Sequence, residues 1–323
     1  MIKLSYITLF LVLLTLLACR KDKVPFSEIP SDTIDTCDCV PIEMPDGYTP
    51  GFNFINDSIY YKFPRFNPNN ENEIIFTELG QGNDKFIYKY NLLTNSKNLV
   101  YQGLLFGSPE WGKSNWIIFT RGYNGVYRVR PDGTNLSLLI PGGLQFHPTF
   151  NDSDNQILTY HGFAPSGTYP AKIWNLDGEL IDSMKYDIGS LFNWENQDYV
   201  SAIVGDSLLI IDPINKDVLR QYDPIFEFGS NAFIHEFVWL TENEALVGND
   251  GLYKMNVWSG QREKVACGCS SLRYKYGDAN EAGTKVLFNK VEYDKVATLT
   301  LKVKLSIVIF DVETNSFETI DIE

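Results

Sequence analysis

A chain of 323 residues that is 44% hydrophobic and 21% charged has enough apolar side chains for one large core or two small ones, which excludes disorder as its general state. Its formal charge of −14, with no basic run longer than RKDK at 20–23, excludes nucleic acid as a partner, because that binding neutralises phosphates with Lys and Arg. Aromatic residues at 14%, together with 24 Gly and 15 Pro, favour short strands and many turns over long helices, so an all-β chain is expected.

The chain opens with MIKLSYITLFLVLLTLLA at 1–18, one lysine and then an apolar run that stops at Cys19. This pattern predicts an export signal rather than structure, and the run is shorter than the roughly 20 apolar residues of a membrane span. LLAC at 16–19 resembles the lipobox of bacterial lipoproteins, which implies cleavage before Cys19 and lipid on that cysteine, an anchored protein rather than a free one. Residues 19–51 are then the lipidated cysteine and a tether. RKDK lacks the acidic stretch of some surface lipoproteins, so the expected place is the cell envelope, on the outer membrane facing the periplasm, with the cell surface as the alternative. Losing the signal leaves 26 Lys and Arg against 41 Asp and Glu, an acidic surface that keeps a secreted protein soluble and is compatible with cationic ligands.

The remaining cysteines form two matching pairs, Cys37 and Cys39 in TCDCV and Cys267 and Cys269 in ACGCS. In an exported chain they are disulfide candidates with three possible connectivities. Cross-links between the pairs would close a very long loop and stabilise by on the order of 4 to 5 kcal/mol. Four thiolates could instead hold zinc, although one-residue spacing is tighter than the usual two to four; no metal or cofactor is expected.

From residue 59 onward the chain repeats. PRF, PEW and PTF end at Phe66, Trp111 and Phe150, and the degenerate FNW, FVW and YKY end at Trp194, Trp239 and Tyr276, placing anchors 45, 39, 44, 45 and 37 residues apart. Each anchor precedes an apolar run, such as EIIF at 73–76 or WIIF at 116–119, then an alternating run, such as FIYKYN at 86–91 or SLLIID at 207–212, then turn residues such as PDGTN. Four antiparallel strands recurring every forty or so residues bury both faces only when neighbouring units stack around an axis. The expectation is therefore an all-β, six-bladed β-propeller over 52–323, with blades at about 59–103, 104–143, 144–187, 188–229, 230–268 and 269–323.

FNPNNENEIIF at 66–76, IYKYNLLTN at 87–95 and VYRVRPDGTNLSLL at 126–139 resemble the TolB-like, or WD40-like, propeller repeat. With the lipobox, the chain resembles the lipid-anchored propellers of Bacteroidetes-type bacteria. TolB carries an additional N-terminal α/β domain, for which the span from 20 to about 51 is too short, so the resemblance does not imply a Tol-complex role.

In a propeller, the fourth-to-first and second-to-third connections share the face around the channel mouth. Arg121, Tyr123, Phe146, His147, His161, Phe163, Tyr169, Phe192, His235 and Arg273 are expected there, with Phe106, Phe226, Phe228 and Phe233. Aromatics with a few polar groups around a concave mouth suit ligand or peptide binding. The three histidines fall in separate connections and could make a metal site only in a geometry that the sequence does not show. The chain has no Gly-rich phosphate loop, His-Glu-x-x-His or Gly-x-Ser-x-Gly elbow, and no catalytic residue is assigned. The expected function is a monomeric, anchored propeller that binds a protein, peptide or glycan; the alternative, by fold analogy, is a hydrolase or lyase with its site in the same mouth.

Two insertions stand out. HGFAPSGTYP at 161–170 is a place for variable contacts. The stretch 289–306 reads as an extended hairpin on blade six with Lys302 and Lys304 on one face, protecting an exposed edge or docking a partner strand. FETIDIE at 317–323 supplies blade six with an outer strand of its own, so residues 52–61 either form the inner strand of blade one or cross to the last blade. Crossing would make their truncation unravel the ring.

Overall fold

The computed structural model describes residues 53–56, 60–79, 85–142, 145–161, 170–185, 192–194, 199–204, 207–222, 236–248, 251–269, 272–297 and 300–322. A short strand β1 (Asn53–Asn56) precedes six four-stranded antiparallel sheets. Blade one is β2 (Tyr60–Asn67), β3 (Asn70–Leu79), β4 (Lys85–Asn91) and β5 (Ser96–Gly103); blade two is β6 (Leu105–Trp111), β7 (Ile117–Arg121), β8 (Gly125–Val129) and β9 (Ser137–Pro141). Blade three is β10 (Gln145–Phe150), β11 (Gln156–His161), β12 (Lys172–Asn175) and β13 (Leu180–Ser183); blade four is β14 (Phe192–Asn193), β15 (Val200–Val204), β16 (Ser207–Ile211) and β17 (Val218–Tyr222). Blade five is β18 (Glu236–Trp239), β19 (Glu244–Gly248), β20 (Gly251–Asn256) and β21 (Arg262–Cys267); blade six is β22 (Leu272–Ala279), β23 (Lys285–Ala297), β24 (Thr300–Asp311) and β25 (Ser316–Ile320).

The chain is a six-bladed β-propeller. Its second strands are near-continuous apolar runs because each sheet is covered on both faces by its neighbours: Ile74, Ile75 and Phe76 are all at 0% exposure. Six buried clusters correspond to the six blade interfaces. Ile75, Ile87 and Val100 of blade one meet Trp111, Ile117 and Phe119 of blade two, and Leu208, Ile210 and Tyr222 of blade four meet Phe237, Trp239 and Met255 of blade five. The ring closes where Phe66, Ile74, Phe76 and Tyr90 of blade one pack on Leu287 and Ile307 of blade six. The outermost strands face water, as in β13 and β25.

The turns after the third strands repeat one device. Asn91, Asn256 and Asp311 each accept backbone N–H bonds from residues two and three positions on, and Asp212 does the same at Ile214 and Asn215. An Asx side chain thus satisfies the backbone while the chain reverses.

Two expectations are corrected. In strand register Phe66, Trp111, Phe150 and Trp239 pair with Ile74, Ile117, Ile157 and Ala245, and the equivalent pair in blade six is Ala279 with Val286. The sixth anchor is therefore Ala279 and not Tyr276; Phe288 and Phe310 pack in the same cluster beside the small residue. The region 52–61 also divides: β1 crosses to blade six and pairs in parallel with Thr300–Val303 of β24, whereas β2 begins at Tyr60 as the inner strand of blade one. β1 lies on the same edge of β24 that β25 occupies further along at Ile307–Asp311, so the stretch of hairpin edge expected to dock a partner strand is covered by the chain itself. Among the residues whose side chains are described, the ring interface is built by blades one and six and the C-terminal Ile320 and Ile322. It is fastened by Asn289, at 0% exposure, which donates to the Tyr61 carbonyl (2.8 Å) and accepts from the Phe63 N–H (3.0 Å).

Candidate functional site

Four inner strands break register at the same level: between Lys62 and Arg65, Phe106 and Glu110, Phe146 and Thr149, and Lys275 and Asp278. Each break is a β-bulge, of one extra residue in blades one, three and six and of two in blade two, which turns side chains out of the ladder. Phe63, Gly107, His147 and Tyr276 sit there with φ of 56°, 74°, 43° and 59°, a region that non-glycine residues occupy at a penalty of about 1 to 3 kcal/mol and that clusters at functional sites. In three of the blades the bulge holds the proline of the Pro-x-aromatic anchor, Pro64, Pro109 or Pro148, where a missing N–H leaves no ladder bond unmade.

The bulges of blades one, three and six meet. The Phe63 ring lies 4.4 Å from that of Tyr276 in blade six and 6.4 Å from His147 in blade three, on the far side of blade two. His147 stacks on Tyr160 at 5.4 Å and 7°, and its Nδ1 lies 3.2 Å from the Ser108 hydroxyl. Gly107 makes room for it: a Cβ there would stand 3.2 Å from the imidazole. Expected as a loop residue at the mouth, His147 is instead a strand residue enclosed in the channel, where burial, with Arg65 nearby, pushes it down to about 4. It is neutral at physiological pH.

Beneath this layer Arg65 ties three blades together. Its Nε donates to Glu110 of blade two (3.2 Å), and one terminal nitrogen donates to the Pro64 (3.0 Å), Tyr276 (3.3 Å) and Gly277 (3.4 Å) carbonyls. Glu236 of blade five is 6% exposed and accepts the backbone N–H of Tyr276. Burial pushes it up to about 7, against the pull of Arg65, the N–H groups of Tyr276 and Gly277, and Lys275. Asp278 accepts the Phe66 N–H at 2.5 Å. Composition gave no signal for Glu110 or Glu236 among 41 acidic residues; for Phe63 the signal was present, since it precedes the anchor proline just as His147 does.

Above the floor the mouth has two unlike halves. Blades two and three give an aromatic row: Tyr123, 66% exposed, lies 5.0 Å from Phe106, which lies 5.7 Å from Phe146. Blades one and six give cations. Burial and Lys85 hold the Lys62 ammonium below its usual value, and burial, Arg273 and Lys62 act likewise on Lys275. Lys85 joins the halves, donating to the Leu105 carbonyl (2.8 Å) and lying 6.0 Å from the Phe106 ring centroid. Arg121 ends β7 with its guanidinium 5.1 Å from the Tyr127 ring, turned from the row to its own blade. His161 and Phe192 lie on β11 and β14, with side chains outside the described residues. Cys19, Cys37, Cys39, Phe163, Tyr169, Phe226, Phe228, Phe233 and His235 also lie outside them. Among the described residues no three His, Cys, Asp or Glu side chains group as a metal site. On the opposite face a cavity of about 270 Å³ between blades three and four is lined by Asp152, Ile181, Asp182 and Ile214 among others.

No family model matches the chain, and no curated protein matches it. Solved structures do. An acylaminoacyl peptidase in complex with Z-Gly-Gly-Phe-chloromethyl ketone superposes with a TM-score of 0.53 at 12% identity over 81% of this chain and 52% of its own. A puromycin-hydrolysing peptidase of Mycobacterium tuberculosis gives 0.52 at 9% identity over 81% and 52%. An oligogalacturonate lyase from Vibrio parahaemolyticus gives 0.50 at 11% identity over 80% and 77%. What they share with this chain is the propeller fold. The chain spans about half the length of the two peptidases.

Proposed function

We propose that the chain is a TolB-like propeller lipoprotein, anchored to the envelope through lipid on Cys19, which binds a ligand or partner at the mouth formed by the fourth-to-first and second-to-third connections, without catalysis. The observation that carries the reading is the meeting of Phe63, Tyr276 and His147 of blades one, six and three beneath a half-aromatic, half-cationic wall. The Glu236 carboxyl, 6% exposed and raised to about 7, is engaged by the Tyr276 backbone N–H below that wall, and the half-buried His147, lowered to about 4, has its Nδ1 on the Ser108 hydroxyl, which supports a structural part for both. Disulfides at Cys267 and Cys269 belong to the same reading, since an exported chain meets an oxidising compartment.

The test uses the mature protein, residues 19–323 made in a lipidating host. Metabolic labelling with a fatty acid should be lost in Cys19→Ala. Envelope glycans and peptides are then screened by thermal shift on wild type and on Phe106→Ala, with product analysis on every hit. Binding that Phe106→Ala abolishes, with ligand recovered intact, is expected. Ligand cleaved by wild type would overturn the non-catalytic reading in favour of a hydrolase or lyase, and hits indifferent to Phe106→Ala would move the site elsewhere.

A further inference from the structure

We propose that the mouth takes a small organic anion, an acidic group carried beside a flat ring face, with Lys62, Lys85 and Lys275 meeting the charge and Phe106 and Tyr123 stacking on the ring. This rests on the binding reading above and names its ligand class.

Equivalent positions make the argument. Lys62 pairs with Thr77, Phe106 with Thr120, Phe146 with Tyr160 and Lys275 with Asn289, each just before a bulge. One structural position in the repeat is therefore filled by aromatics in blades two and three and by lysines in blades one and six. All lie at the rim of the floor built by Phe63 and Tyr276. Arg273 stands two residues before Lys275 on the same strand, and Lys85 reaches from blade one to the Phe106 ring.

The charge runs against the rest of the molecule. A chain with 27 Lys and Arg against 41 Asp and Glu gathers three partly desolvated lysines here, with Lys85 acting against the Lys62 charge and Lys62 and Arg273 against that of Lys275. Gathering like charges in a concavity is unfavourable in the free protein and is relieved by an anion, whose local concentration the same field raises. Glu236, at the equivalent position of blade five, offsets Lys275 in part but turns its carboxylate to backbone N–H groups. The aromatic half suits a flat or ring-shaped apolar face. A uronic sugar and a nucleotide share this chemistry, with a carboxylate and a phosphate as their respective acids.

Calorimetry on the mature protein with trigalacturonate and with uridine monophosphate, against galactotriose and uridine as uncharged counterparts, separates the sources. At least one acidic probe should bind, more weakly at high salt. The Lys62→Gln/Lys275→Gln variant should weaken it about tenfold or more, the equivalent of ~1.4 kcal/mol, while keeping the near-ultraviolet circular dichroism of the wild type. Binding of trigalacturonate alone assigns a uronic sugar, and of the nucleotide alone a phosphate ester. Failure of both acidic probes, or binding indifferent to salt and to the lysines, overturns the inference. An uncharged probe that binds as tightly as its acidic counterpart overturns it too while leaving the binding face itself standing.

Discussion

The Glu236 and His147 environments make opposite demands on pH, and their near-cancellation can be unmasked. Glu236 moves from 4.5 in the unfolded chain to about 7, chiefly through burial. Between those values the folded protein holds a proton that the unfolded chain has released, so stability falls as pH rises through the window, by about 1.4 kcal/mol per pH unit and about 3 kcal/mol in total. His147 moves from 6.5 to about 4. There the unfolded chain holds the proton, so stability falls as pH drops from 6.5 through 4, by a similar amount. Across their overlap from pH 4.5 to 6.5 the slopes cancel, and these two groups leave wild-type stability level. His147→Gln removes one slope: its stability should drop by about 3 kcal/mol between pH 4.5 and 6.5 relative to wild type. Glu236→Gln should rise by about as much over the same interval, and the double variant should be level again. Urea unfolding at pH 4.5, 5.5 and 6.5, with a constant m-value, measures all four proteins. Profiles of the single variants that run parallel to wild type would refute the argument, since they would mean that both groups titrate in the folded state as in the unfolded one.

Two further expectations concern ring closure. Asn289→Ala leaves the Tyr61 carbonyl and the Phe63 N–H without the partners they have now, and should cost roughly 2 to 4 kcal/mol in chemical unfolding; a loss under 0.5 kcal/mol would show that the blade one to blade six contact does not depend on it. Deleting residues through 57 removes β1 and leaves every described member of the closing cluster in place. The truncated propeller should keep its near-ultraviolet circular dichroism, whereas a molten or aggregated product would restore the role of this segment in holding the ring shut.

What the sequence determined by itself is what local pattern encodes. Alternating and continuous apolar runs place the strands, Asx and Gly residues place the turns, and repetition counts the blades, because a sheet that must be covered on both faces writes the same pattern six times. The sixth anchor slipped by three residues because Ala279 offers no aromatic signal where Phe288 and Phe310 of the neighbouring strands fill the interface. Only the tertiary structure decided what meets at the axis. Phe63 and His147 are 84 residues apart in the chain, and Arg65 and Tyr276 are 211 apart; no local periodicity records such pairs. A bulge of one or two residues decides whether a side chain joins a blade interface or turns toward the axis. The direction of that turn, and hence the floor, the buried acid and the cationic half of the mouth, exists only once six blades share one axis.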